Sequence, residues 1–75
     1  MTNGGLFTKE MLDDAKQKAK NSGFKVSDEI VVKASGGPGT IVYNYNYIGD
    51  FGVLRTSGKY KGSIMYLSHW EMSKT

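Results

Sequence analysis

The stretch Thr40-Ile41-Val42-Tyr43-Asn44-Tyr45-Asn46-Tyr47-Ile48 constrains this chain more than any other. It alternates over its whole length, and a period of two is the mark of a β-strand. The tyrosines fall on one face and the asparagines on the other. A glycine-rich segment precedes it and Gly49-Asp50 follows. The strand is therefore expected near the middle of a sheet, with a neighbour on each side.

Those neighbours must come from a chain of 75 residues, which is one domain. A domain of this size buries only about 60% of the surface that its unfolded chain exposes. Hydrophobic residues make up 39% and cysteine is absent, so no disulfide or thiolate metal site reinforces the fold. With five tyrosines in so short a chain, part of the core has to be built from tyrosine rings.

Upstream of the strand, residues 1–7 read as a loose segment and residues 8–22 as a helix. Thr8 is a suitable N-cap, and Phe7 can staple onto Leu12. Met11, Leu12, Ala15 and Ala19 recur at helical spacing and form one narrow apolar stripe. Glu10, Asp13 and Asp14 precede Lys16, Lys18 and Lys20, an order that complements the helix dipole. Gly23 is placed to take the left-handed conformation after the last turn, with Phe24 folding back on Ala19. From Phe24 the period changes to two. Phe24, Val26, Ile30, Val32 and Ala34 share the buried parity of a half-exposed strand. Asp28 interrupts it, which puts the strand start at Glu29 and Ser27-Asp28 in a turn. Ser35-Gly36-Gly37-Pro38-Gly39 then forms a hairpin loop.

Downstream, Gly49-Asp50 reads as a two-residue hairpin turn. It would set Ile48 against Phe51, Asn46 against Val53, Tyr45 against Leu54 and Asn44 against Arg55. One face would carry Ile41, Tyr43, Tyr45, Tyr47 and Leu54, and the other Val42, Asn44, Asn46, Ile48, Phe51, Val53 and Arg55. Ser57-Gly58-Lys59 makes a further turn and Tyr60 to Ser68 the last strand. His69 to Met72 extends that strand or makes one helical turn. The expected fold is α+β: an N-terminal helix packed on a four-stranded antiparallel β-meander over residues 24–70. A small curled half-barrel capped by the helix is the alternative, prompted by Gly49, Gly52, Gly58 and Gly62 in or beside strands.

Catalysis has little to work with. His69 is the single histidine. Adjacent Ser68 and His69 on a strand point to opposite faces. Ser63 shares parity with His69 but lies roughly 20 Å away along a strand. The carboxylates are accounted for by the helix dipole and by turns. Gly36-Gly37-Pro38-Gly39 lacks the Gly-Lys-Ser/Thr of a phosphate loop and leads into a strand rather than a helix. The expectation is a non-enzyme with no catalytic residue, no metal and no cofactor. No apolar run approaches the ~20 residues that span a bilayer, and the start lacks a signal-peptide pattern. A cytoplasmic protein without a membrane partner is expected.

Binding remains. Both faces of the central hairpin carry large apolar groups, and one narrow helix cannot cover both. The expected partner is a protein, met through Ile48, Phe51, Arg55, Tyr60 and Trp70. Tyr45 or Tyr47 would join them if the helix leaves that face open. The last strand, as a sheet edge, also suits strand addition or self-pairing into a homodimer. The alternative is a nucleic-acid-binding module. The net charge is +3, and Arg55, Lys59 and Lys61 lie in a stretch without an acid. Beside them Tyr43, Tyr45 and Tyr47 could stack bases. In size and type alone, the chain resembles small basic α+β proteins of phages and mobile elements that bind and inhibit a host protein, which implies an inhibitor.

Overall fold

A computed structural model describes residues 8–75. The expected loose segment and the Phe7 half of the staple lie outside the described residues. One helix, α1 (Lys9–Asn21), precedes the strands β1 (Glu29–Val32), β2 (Pro38–Tyr43), β3 (Phe51–Arg55), β4 (Ile64–Leu67) and β5 (Met72–Lys74). A 3-10 turn, His69–Glu71, separates the last two. This helix is not long and apolar enough to cross a membrane.

The helix forms where the sequence places it. Thr8 Oγ1 accepts from the Met11 N–H at 3.1 Å, which satisfies a donor of the first turn. Ser22 caps the other end, and Gly23 follows at φ 85°. Ala19 is fully buried, and Phe24 packs against the cluster to which Ala19 belongs. Lys18 pairs with Asp14 at 3.0 Å on the exposed side.

The sheet is antiparallel, with strand order β4-β3-β2-β1-β5, and curls into a half-barrel with the helix on its inner face. Strands β1 to β4 are the expected meander. The fifth strand was not foreseen. Glu71 reaches back to accept from the Ser68 N–H at 3.1 Å and steadies the 3-10 turn. That turn redirects the chain so that Met72 pairs with Val32 and Lys74 with Ile30. A strand of three residues is too short to announce itself by periodicity. The core joins Ile30, Ile41, Phe51, Val53, Leu67 and Met72 with Ala19 of the helix.

β1 begins at Glu29 as expected but stops at Val32, so Ala34 lies exposed in the following turn. Val26 is exposed too, because the chain turns there instead of running extended. The Asp28 N–H bonds the Lys25 carbonyl at 3.1 Å, with Ser27 at φ 79°. Ser27 N–H bonds Ile41 O and Ile41 N–H bonds Asp28 O. Ser27 and Asp28 thus oppose one residue, a β-bulge in a position that usually holds glycine.

The tyrosine stretch departs most from its pattern. β2 ends at Tyr43, and residues 44–50 form a loop rather than a strand and a two-residue turn. Asn46 is the cause. Its Oδ1 accepts from the Ile48 and Asp50 N–H groups at 3.1 and 3.0 Å, and its own N–H bonds Asp50 O at 2.9 Å. An asparagine side chain that serves backbone donors competes with the ladder of a strand. Leu54 therefore faces Thr40 rather than Tyr45, and Val53 faces Ile41 rather than Asn46. Gly49 closes the loop against the helix. It lies at φ 84°, and a Cβ there would sit 2.8 Å from Ala15 O.

Candidate interaction surface

The register decides which groups share a face. Ile41 pairs with Val53 and both are fully buried beneath the helix, so this is the inner face. A register shift between Ile41 and Tyr43 then sets Tyr43 opposite Gly52. Gly52 follows Phe51 and precedes Val53, both inward, so its Cα hydrogens face outward. The Tyr43 side chain lies on that side: a Cβ on Gly52 would come within 2.6 Å of its Cδ2. Tyr66 is the partner of Gly52 on the other flank. Tyr43, Gly52 and Tyr66 therefore form one row across the outer face, and both rings are 57% exposed. The next row is Thr40, Leu54 and Ile64, with Ile64 40% exposed. None of these six residues is charged, and among the described residues no helix or strand packs over them.

The residues proposed from sequence scatter around this face. Phe51 is a correction: it is fully buried, with Phe24 and Tyr45 edge-on to its ring at 6.0 and 5.8 Å. It anchors the core and offers no surface, because the changed register turns it inward. Tyr45 likewise packs on the core, whereas Tyr43 is outside and Tyr47 stands exposed in the loop. The three tyrosines do not form a common face. Arg55, Lys59 and Tyr60 do meet. The Arg55 guanidinium and the Lys59 ammonium each lie 5.6 Å from the Tyr60 ring centre. Lys61 follows in the same exposed loop.

Ile48 and Trp70 come together elsewhere. They line a cleft of about 320 Å³ between α1, the loop at residues 48–50 and the 3-10 turn. Asp14, Lys18, Asp50, Ser68 and His69 are also on its wall. Those polar groups serve one another rather than an open centre. Lys18 pairs with Asp14, and Ser68 Oγ donates to Asp50 Oδ1 at 2.6 Å. His69 meets the exposed Trp70 ring edge-on at 5.5 Å.

Sequence reasoning placed Leu54 on the face of Tyr43 but missed Tyr66 and Ile64 as surface residues. In β4 both parities are apolar, Ile64 and Tyr66 against Met65 and Leu67, so alternation cannot say which pair faces outward. The only available signal was Gly52, whose missing side chain marks where a neighbouring ring can close over the sheet. No protein-family model, no curated protein and no solved structure matches this chain.

Proposed function

We propose that this chain is a non-enzymatic binding domain that occupies a surface of a partner protein with the outer face of its sheet. The observation that carries this reading is the uncharged patch in which Tyr43, Tyr66 and Ile64 stand exposed around Gly52 and the half-buried Leu54, with no helix or strand packed over it among the described residues. Exposed tyrosines over an apolar sheet, without charges at the centre, have the make-up of a protein interface. A single-stranded nucleic acid asks for something else, rings interleaved with cations. No cation lies in the rows that hold Tyr43 and Tyr66: Arg55 shares the inner parity of Val53, and its guanidinium and the Lys59 ammonium lie against the Tyr60 ring instead. The non-enzymatic part rests on the serine nearest the histidine. Ser68 is buried and its hydroxyl donates to Asp50, so it is not poised as a nucleophile. Masking the partner's surface makes inhibition the simplest consequence of binding.

The test is affinity capture from nuclease-treated source lysate, with the unmodified chain and a Tyr43→Ser/Tyr66→Ser variant side by side. The expected result is a protein recovered in fixed ratio by the first and lost with the second. Recovery of nucleic acid alone, released steeply by salt, would replace this reading with nucleic-acid binding. Equal capture by both chains would remove the outer face from it.

A further inference from the structure

Two edges bound the sheet, and they are built differently. β5 has three residues and carries Lys74, whose ammonium reaches the Gly23 carbonyl at 2.8 Å and Asp28 at 3.4 Å. A short strand bearing a lysine is a common way to blunt an edge. β4 has no such device. Ile64-Met65-Tyr66-Leu67 contains no charge, proline or glycine, and among the described residues no strand pairs with its outer side.

The bulge before β4 sets which of its backbone groups are free. Arg55 N–H bonds Ser63 O and Gly62 N–H bonds Arg55 O, both at 2.9 Å, with Gly62 at φ 91°. The register then continues through Leu54–Ile64, Val53–Met65, Gly52–Tyr66 and Phe51–Leu67. Bonded and non-bonded pairs alternate along an antiparallel ladder. Ser63 is bonded, so Met65 and Leu67 also turn their backbone groups toward β3. Ile64 and Tyr66 turn theirs away from the sheet. Two outward residues, each with an N–H and C=O that no other described residue bonds, make a template for another strand.

We infer that a second copy of this chain fills that edge, with the two β4 strands antiparallel about a two-fold axis at Met65. Ile64 and Tyr66 of one copy then bond Tyr66 and Ile64 of the other through four main-chain hydrogen bonds. Met65 faces its counterpart in a non-bonded pair. Two observations select a second copy over a foreign strand. The free groups sit symmetrically about Met65, as an isologous contact requires. Ile64 meets Tyr66 across the junction, a β-branched and aromatic pair that antiparallel sheets favour. The dimer joins both outer faces into one sheet surface. The inference goes beyond the partner-protein reading, since it uses the β4 edge and not Tyr43, and either can fail alone.

The chain has no cysteine, which makes a crosslinking test clean. Cα atoms in a non-bonded antiparallel pair lie about 4.5 Å apart, within disulfide reach. Under mild oxidation, Met65→Cys is expected to form a covalent dimer roughly tenfold faster than Ser73→Cys, on the exposed face of β5. Sedimentation of the unmodified chain is expected to show a concentration-dependent dimer. Tyr66→Pro removes one outward N–H per copy and leaves the ladder to β3 intact. It should raise the dimer dissociation constant on the order of tenfold. A chain that sediments as a monomer at every concentration overturns the inference, as does equal crosslinking at the two positions. Sedimentation uses the unmodified sequence, so a variant that misfolds cannot shelter the proposal.

Discussion

Phe51 and Val53 of β3 point one way, and Gly52 and Leu54 the other. Both sets are apolar, yet their fates differ. The first pair is sealed in the core with Ala19 of α1, Phe24 and Tyr45, and among the described residues the second lies under nothing heavier than the Tyr43 ring. Hydrophobicity is therefore not what separates core from surface in this strand. The separation comes from which face the helix reaches, and α1 reaches only one because its apolar stripe is narrow and ends in small alanines. In a larger domain a second layer would cover the other face. Here, among the described residues, no second layer covers it.

Three substitutions test that contrast, and the largest effect belongs inside. Phe51→Ala should lower unfolding free energy by about 3–5 kcal/mol in a denaturant titration, since a large ring leaves a cavity at the centre of the core. A loss below ~1 kcal/mol would mean that Phe51 is not where the inner face is sealed. Gly52→Ala should cost about 1–3 kcal/mol, because the new methyl meets the Tyr43 ring and forces it off the sheet. The same titration reads this, and an unchanged stability would show that the ring does not lie over Gly52. Tyr66→Ser should change stability by no more than ~0.5 kcal/mol, as expected of an exposed side chain, while partner capture falls. If it destabilised the fold as much as Gly52→Ala, the outer face would be structural rather than a binding surface.

Local features were legible in the sequence. The Thr8 cap, the helix to Asn21, the left-handed Gly23 and the start of β1 at Glu29 each depend on residues a few positions apart. The four-strand meander followed from the same punctuation by glycine and turn residues. The β2–β3 register was not legible. Tyr-Asn alternation predicts a long strand, but Asn46 offers its side chain to the backbone of residues 48 and 50 and ends the ladder early. Odd slips in register exchange faces, so this one asparagine moved Phe51 from the expected partner surface into the core. It also divided the tyrosines among surface, core and loop. Of the residues proposed for binding, Tyr43 lies on the candidate face, Arg55, Lys59 and Tyr60 meet through cation–ring contacts between β3 and β4, and Ile48 and Trp70 share a separate cleft.

The sequence by itself determined that a capped helix precedes a sheet of short antiparallel strands, and that one helix would leave some apolar sheet surface uncovered. It could do so because caps, turns and periodicity are written within a few residues of one another. Only the tertiary structure decided which surface that is. The tail strand against β1, the slip between β2 and β3, and the closure of Tyr43 over Gly52 all join residues far apart in the chain. Where both parities of a strand are apolar, only those long-range contacts can assign its faces.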